Sequence, residues 1–264
     1  MVTVSEASHR VGTPGRDDAV QYLLRDRAWA AYPLGYLDPD TRTEMDLLGL
    51  GGDQGLEGLV AIAHLPGLVN VFATGDPGAV GAILAQMPGV PSSGVFSARA
   101  EVLDAMERHL QVNTAYRMRR MVVRQADLRP RTGAPTRRLT IEHLEQVRRL
   151  YGLWTDSHQL PGQLTDGVYF GVFAGNELIA AAGTHALSTR HGVGAIGNVL
   201  THASYRGRGL ASTTTTAVAE ELFARGCDEV VLNVRYGNDI ALVTYQKLGF
   251  TDHCTFIEGV FRKR

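Results

Sequence analysis

The chain has 264 residues, which is enough for one large domain or two domains of ordinary size with buried cores. Its hydrophobic content of 44% and formal net charge of −1 exclude a largely disordered or uniformly basic chain, so we predict a globular protein that binds neither nucleic acid nor membranes. Cys227 and Cys254 have no C-x-x-C spacing, and no membrane-spanning run or secretion signal is visible, so we predict a cytoplasmic location.

The first half predicts an ordered series of strands and helices. A helix is expected over residues 22–31, with Trp29 on its apolar side. Asp76 and Pro77 are typical of a helix start, as N-cap and first helical residue. The other predicted elements are strands at residues 44–50, 58–64, 68–74 and 94–97 and a helix at residues 99–110. From residue 44 the order is strand, strand, strand, helix, strand, helix.

The second half predicts the same order of elements, although the two halves show no obvious repeat of residues. A strand is expected over residues 116–123, and Thr140 is the predicted N-cap of a helix with Leu144, Val147 and Tyr151 on one face. The further predicted elements are strands at residues 167–173, 177–187, 194–201, 229–234 and 250–261 and helices at residues 209–225 and 238–249. We therefore predict two related lobes, at residues 1–115 and 116–264.

A basic turn with two glycines joins the strand at residues 194–201 to the following helix. Its sequence is Arg206-Gly207-Arg208-Gly209-Leu210-Ala211. The first turn of a helix has N–H groups without a helical partner and carries partial positive charge, and glycine lets the backbone approach an anion closely. This turn is therefore a candidate phosphate site. The corresponding turn of the first lobe, at residues 74–78, has no arginine and carries Asp76, so we expect it not to bind a pyrophosphate well.

The turn fits the pattern Arg/Gln-x-x-Gly-x-Gly/Ala and resembles the acyl-CoA pyrophosphate loop of the GNAT superfamily of N-acyltransferases. Asn238, Tyr245 and Leu248-Gly249-Phe250 continue that family's order, and the resemblance covers residues 116–262. It implies an α/β fold with a mixed, mostly antiparallel sheet flanked by helices, in two tandem lobes. It also implies transfer of an acetyl group from acetyl-CoA to a primary amine by direct attack in a ternary complex.

The resemblance assigns acetyl-CoA to three parts of the chain. Backbone N–H groups from Arg208 to Ser212 would bind the pyrophosphate, the splayed strand at residues 198–201 would hold the thioester, and Asn238 would support the cofactor arm. An N–H of Val199 or Leu200 would face the acyl oxygen and stabilise the charge that develops there. We predict no metal site. The complete predicted cofactor-binding set is Asn198, Val199, Leu200, Thr201, Arg206, Gly207, Arg208, Gly209, Leu210, Ala211, Ser212, Asn238 and Tyr245.

Tyr245 is the predicted proton donor to the leaving thiolate. It follows Asn238 by about two helical turns, so we expect both side chains on nearly the same side of the helix. A phenol with a pKa of about 10 is reasonably matched to a thiol of about 8.5. The alternative is a tyrosine ring that packs in the core beside Ala241 and Leu248.

The sequence leaves several candidates for the general base that deprotonates the amine. Many relatives carry a carboxylate on the strand before the loop, but residues 195–198 contain none. His185 is the predicted catalytic base because the ordinary pKa of histidine suits the task. His202, His158, Asp156 and water are the alternatives. Asp156 is also a candidate for holding an ammonium group, although a polar surface loop is the favoured explanation.

Two other functions are compatible with the basic turn. Residues 207–212 are one residue short of the dinucleotide pattern G-x-G-x-x-G, but Asp228 and Glu229 stand at the start of the next strand, and an oxidoreductase needs the acid at its far end. A sensor that binds coenzyme A without turnover is the second alternative. The expected acceptor is a small-molecule or peptide amine, and the expected state is a monomer or homodimer. We also expect the four threonines at residues 213–216 on the helix surface.

Overall fold

The computed structural model describes residues 10–41, 43–53, 55–87, 89–152 and 160–264. They form two compact units. The first comprises the residues up to Arg25, Thr43–Arg117 and Thr255–Arg264, and the second comprises Asp26–Arg42 and Met118–Cys254. Neither unit is one continuous segment. The boundary predicted after residue 115 falls inside a strand, β6 (Leu110–Arg124).

The first unit is a mixed sheet with helices packed on it. With elements numbered along the chain, it contains β1 (Val11–Gly12), α1 (Arg16–Leu24), β2 (Glu44–Gly52), β3 (Gly55–Leu65), β4 (Leu68–Gly75), α3 (Pro77–Gln86), β5 (Ser93–Ala98), α4 (Ala100–Glu107) and most of β12 (Thr251–Lys263). The strand order is β1-β2-β3-β4-β5-β12, and only β4 and β5 are parallel neighbours. Val60, Ile83, Phe96 and Met106 are completely buried in the core of this unit.

The second unit has a sheet of the same kind, with helices on both faces. Besides part of β6, its elements are α2 (Ala31–Tyr36), β7 (Arg137–Arg138), α5 (Leu144–Tyr151), α6 (Leu160–Asp166), β8 (Tyr169–Ala174), β9 (Glu177–Ser188), β10 (Val193–Thr201), α7 (Leu210–Ala224), β11 (Glu229–Arg235) and α8 (Asp239–Lys247). The strand order is β6-β11-β10-β9-β8-β7, with β10 and β11 as the parallel pair. Ala181 and Ala182 of β9 point to opposite faces and belong to different apolar cores, so α5 and α6 cover one face and α7 and α8 the other.

The two units share one order of elements and exchange their last strands. The order β2-β3-β4-α3-β5-α4 of the first unit matches β8-β9-β10-α7-β11-α8 of the second, as the sequence predicts. However, β6 follows α4 and pairs with β11, where Met121 lies opposite Leu232. Likewise β12 follows α8 and pairs with β5, where Phe261 lies opposite Gly94. Each sheet is therefore completed by the strand that follows the last helix of the other unit.

The single helix predicted over residues 22–31 is wrong. The chain instead forms α1 and α2, separated by turns at residues 25–30. The Asp26 side chain accepts a hydrogen bond from the Trp29 backbone N–H at 3.1 Å, and such a local bond competes with the helical pattern. Pro33 is tolerated in α2 because the first N–H groups of a helix have no helical partner.

The remaining predicted strands and helices are confirmed to within a few residues at each end, except that β6 begins at Leu110, six residues before the predicted start at residue 116. The sequence did not indicate α6 or the short strands β1 and β7. Candidate residues Asp156 and His158 lie outside the described residues. None of the described helices is long and apolar enough to cross a membrane.

Candidate active site

β10 and β11 pair over only part of their length. Their parallel register runs from Val193–Glu229 to Ile196–Leu232, although β10 continues to Thr201 and β11 to Arg235. Over the remaining residues, β11 keeps its pairing with β6. The two strands therefore splay from Gly197 onwards, and this edge of β10 offers backbone N–H and C=O groups to an extended ligand. Residues 198–201, which were predicted to hold the thioester, form this edge.

β10 is also kinked where the splay begins. Asn198 and Val199 stand opposite one residue of β9, which is the arrangement of a β-bulge. Asn198 has a φ of 52°, a left-handed conformation that no other non-glycine residue adopts in the described part of the chain. The hydroxyl of Tyr151 donates to the Asn198 carbonyl, and the Asn198 Nδ2 donates to the hydroxyl of Tyr169 at 2.7 Å. Buried tyrosines thus hold the kink in place.

The helix that follows β10 begins without a side-chain cap. Gly209 is the N-cap of α7 and has a φ of 76°. A β-carbon built on Gly207 or Gly209 would meet nothing within 4 Å, so the space in front of this turn is open. Arg206 and Arg208 are both exposed beside it. Uncapped N–H groups, the helix dipole and two guanidinium groups together suit a diphosphate.

The corresponding helix of the first unit is capped. Asp76 Oδ1 accepts a hydrogen bond from the Ala79 backbone N–H at 2.9 Å, so a carboxylate of the chain itself occupies the start of α3. This negative charge would repel a phosphate at the same place. The contrast with Gly209 gives a physical reason for the expectation that only the second lobe holds a pyrophosphate.

Asn238 and Tyr245 of the α8 segment differ in their exposure to solvent. Asn238 is the N-cap, has non-helical backbone angles and is exposed, and its Oδ1 accepts from the Ala241 N–H at 3.2 Å. Tyr245 is 8% exposed and packs among residues that include Leu248, and its ring contacts Phe250 edge-on. Burial raises the pKa of the Tyr245 phenol, which keeps it protonated.

His185 lies on β9 next to the bulge of β10. Its Nδ1 is 3.2 Å from the hydroxyl of Tyr32, on α2. Burial lowers the pKa of His185, and a hydrogen bond with the Asn198 side chain acts in the opposite direction. The alternative base His202 is exposed and accepts a hydrogen bond from the Ser204 N–H at 3.3 Å. The structure therefore brings His185, and not His202, into the polar cluster around Asn198.

Three polar residues of this cluster were not predicted. Arg120 is 1% exposed, and its Nε donates to Asn233 Oδ1 at 2.9 Å. Asn233 in turn donates through Nδ2 to the Tyr32 hydroxyl at 3.4 Å. An asparagine within the apolar strand β11 is the local signal that was available for Asn233, whereas Arg120 follows two other arginines of β6 and does not stand out. Neither residue reveals its partner, because the partners are distant in the sequence.

A second polar cluster, at the C-terminal end of β9, is structural. Ser188 is completely buried, and its Oγ donates to Asp38 Oδ2 at 2.6 Å and lies 2.8 Å from His191 Nδ1. In a catalytic triad the histidine takes the serine proton and the carboxylate holds the histidine. Here the serine proton is directed at the carboxylate. The arrangement therefore stabilises the fold and does not activate a nucleophile.

The four threonines of α7 are buried, and the expectation that they lie on the helix surface is wrong. Thr213 and Thr214 donate back to helix carbonyls, at 3.2 Å from Gly209 O and 3.1 Å from Leu210 O. Thr216 Oγ1 accepts from the Arg131 backbone N–H at 3.2 Å. The loop before β7 therefore covers this side of the helix, and hydrogen bonds to backbone groups make the burial of the Thr213, Thr214 and Thr216 hydroxyls tolerable.

The acetyltransferase (GNAT) family model matches residues 138–250. The chain shares its fold with a GCN5-related N-acetyltransferase from Kribbella flavida, at a TM-score of 0.64 and 17% identity over 90% of this chain and 94% of that chain. A GCN5-related N-acetyltransferase from Sphaerobacter thermophilus gives a TM-score of 0.57 and 17% identity over 95% and 94% of the two chains.

A tandem GNAT protein from the clavulanic acid biosynthesis pathway also shares the fold, with a TM-score of 0.58 and 11% identity over 96% of this chain and 98% of that chain. The range matched by the family model contains the splayed edge of β10, the basic turn and Tyr245. The mixed α/β fold implied by the resemblance is thus confirmed. Residues 138–250 belong to the acetyltransferase (GNAT) family, in a chain whose N-terminal half adds a second lobe with the same order of elements.

Proposed function

We propose that this protein transfers an acetyl group from acetyl-CoA to a primary amine of a small molecule or peptide. The family supports an acyltransferase that uses an acyl-CoA. The observation that carries the proposal is the continuity of two features: the splayed edge of β10 leads directly into the uncapped start of α7. An extended thioester arm and its diphosphate need those two features in that order.

The residues present fit acetyl-CoA. The N–H groups from Arg208 to Ser212 would bind the diphosphate, with Arg206 beside them, and the edge from Asn198 to Thr201 would pair with the pantetheine arm. The exposed amide nitrogen of Asn238 would support that arm, because only its oxygen is engaged as the helix cap. When bound, acetyl-CoA supplies the activated acyl group.

The remaining chemistry belongs to this chain's own residues. An N–H of Val199 or Leu200, beside the bulge, would donate a hydrogen bond to the acyl oxygen. Tyr245 would donate its phenolic proton to the departing sulfur, although burial raises the pKa of that phenol and makes it a weaker acid. His185 would accept a proton from the amine, since burial keeps its imidazole neutral. Attack within a ternary complex needs no covalent enzyme intermediate.

A sensor that binds coenzyme A without turnover is the second candidate, because Tyr245 is packed as a core residue. Titration calorimetry with acetyl-CoA, NAD and ATP tests the cofactor, and thiol release with a panel of amines tests turnover. We expect heat with acetyl-CoA alone and thiol release with at least one class of amine. Heat with NAD or ATP but not with acetyl-CoA would overturn the proposal. Saturable binding without turnover on any amine would favour the sensor.

A further inference from the structure

The hydroxyl of Tyr32 lies beside the gap between the splayed strands. It is 3.2 Å from His185 Nδ1 on β9 and accepts from Asn233 Nδ2 on β11 at 3.4 Å. Because β10 runs between β9 and β11, this contact crosses β10 on the face that α2 covers. It crosses at Gly197, where a β-carbon would lie 2.5 Å from His185 Nδ1. Asn233 directly follows Leu232, the last residue of β11 that pairs with β10.

The hydrogen bonds of Asn198 determine which nitrogen of His185 carries the proton. Asn198 Nδ2 donates to the Tyr169 hydroxyl at 2.7 Å and to Gln163 Oε1 at 3.2 Å. The atom left for His185 is therefore Asn198 Oδ1, which can only accept. We infer that the Nε2 side of the His185 ring faces this oxygen as the donor, because the other ring nitrogen, Nδ1, lies 3.2 Å from the hydroxyl of Tyr32 and would then be unprotonated.

Arg120 fixes the other end of this chain of hydrogen bonds. Its Nε donates to Asn233 Oδ1 at 2.9 Å, so Asn233 presents its Nδ2 to Tyr32. The guanidinium group lies over the Tyr32 ring at 5.0 Å and donates through Nη1 to the Trp29 carbonyl at 2.5 Å. The Tyr32 hydroxyl thus receives a bond from Asn233 and directs its own hydrogen at His185. All donors from Arg120 to His185 point the same way, and such chains strengthen cooperatively.

We propose, building on the transferase function above, that Tyr32 and His185 together accept the proton that the acceptor amine loses. As the amine nitrogen bonds to the acyl carbon, Tyr32 Oη takes one N–H proton and passes its own hydroxyl proton to His185 Nδ1. The electron pair of the broken N–H bond stays on nitrogen, and the imidazole becomes an imidazolium. The proton later returns through Tyr32 to water. Tyr32 is the catalytic residue that touches the amine, and His185 acts through it.

The surroundings of His185 suit this role. Burial lowers the pKa of His185, which keeps the imidazole in the basic form before the reaction and favours release of the proton afterwards. The titratable and charged groups of this cluster are Tyr32 and Tyr36 on α2, Arg120 on β6, Tyr151 on α5 and Tyr169 on β8.

The first test needs no turnover. Nitrogen-15 NMR of the histidine rings in the full-length protein, assigned by comparison with His185→Asn, reports the protonation of each nitrogen. We expect an unprotonated Nδ1 in the wild type and a shifted Nδ1 resonance in Tyr32→Phe, with no shift in Tyr36→Phe. A protonated Nδ1 in the wild type, or an Nδ1 resonance that has the same position in Tyr32→Phe as in the wild type, overturns the proposal even if the protein is an active transferase.

The second test uses kinetics with an amine that the wild type acetylates. We expect Tyr32→Phe and His185→Asn each to lower kcat about 10- to 100-fold, because general base catalysis contributes at least this much, with acetyl-CoA affinity unchanged. The double variant should be no slower than the slower single variant, because the two residues act as one unit. Both single variants should lose the same limb of the pH–rate profile, which Tyr36→Phe retains. Additive losses, or an unchanged profile in Tyr32→Phe, would show that Tyr32 is merely structural.

Discussion

His185 occupies the space that a side chain at Gly197 would fill: a β-carbon on Gly197 would lie 2.5 Å from His185 Nδ1, and the neighbouring ring atoms would be closer still. Gly197→Ala should therefore displace the imidazole from Tyr32. Overpacking of this kind costs about 1–3 kcal/mol of unfolding free energy, and we expect kcat to fall together with it. Gly51→Ala is the control, since a β-carbon on that strand glycine meets nothing within 4 Å. Equal activity of the two variants would contradict this account of Gly197.

Gly209→Val should abolish acetyl-CoA binding, measured by titration calorimetry. A valine side chain would project into the open space before α7 and would be strained at a φ of 76°. Gly175→Val is a matched control, because Gly175 has a φ of 60° and equally open surroundings but lies in the β8–β9 turn. Both variants should lose about 1–2 kcal/mol of unfolding free energy from the left-handed conformation. If both variants still bind acetyl-CoA, the diphosphate is held elsewhere.

Tyr245→Phe should lower kcat about 10- to 100-fold, as expected for the loss of a general acid, while acetyl-CoA affinity stays nearly unchanged. The phenylalanine ring can keep the packing with Leu248 and Phe250, so the melting temperature should change little. Stopped-flow measurement of thiol release in a single turnover isolates the chemical step. An unaltered single-turnover rate at every pH would remove Tyr245 from the reaction and leave it a core residue.

Local signals in the sequence were enough to predict most of the strands and helices and the basic turn. The apolar stretch of β11 and the glycine before α7 depend only on neighbouring residues, and both features appear as predicted. Asp76-Pro77 likewise specifies the start of α3 through a cap that lies within its own helix. Such features can be predicted from the sequence because the residues that cause them are close neighbours in the chain.

Features that join distant segments could not be predicted in this way. The pairing of β6 with β11 and of β12 with β5 depends on which edge each strand meets, and strand composition does not encode that choice. Tyr32 and His185 are 153 residues apart, so their hydrogen bond has no local signature. The single helix predicted over residues 22–31 ends before Tyr32, so the sequence did not indicate the second helix, α2, that positions Tyr32.

Cys227 should resist alkylation in the folded protein. Burial raises the pKa of its thiol to about 12, so the reactive thiolate is almost absent at about pH 8. We expect iodoacetamide to modify Cys227 only after denaturant is added, as followed by mass spectrometry of the Cys254→Ser variant. Rapid modification of folded Cys254→Ser would show that the pocket around Cys227 opens readily.

His185 should make the protein less stable in mild acid. An unfolded histidine binds a proton near pH 6.5, whereas burial lowers the pKa of His185 in the folded state. Below about pH 6.5 the unfolded chain therefore binds more protons at this site, and the unfolding free energy falls by up to about 1.4 kcal/mol per pH unit until the folded pKa is reached.

Urea unfolding between about pH 7.5 and pH 5.5 should show a smaller decline of the unfolding free energy for His185→Asn than for the wild type. His202→Asn, at an exposed cap where asparagine can still accept from Ser204, should follow the wild type. Parallel pH dependences of His185→Asn and the wild type would mean that His185 is protonated as readily in the folded state as in the unfolded chain.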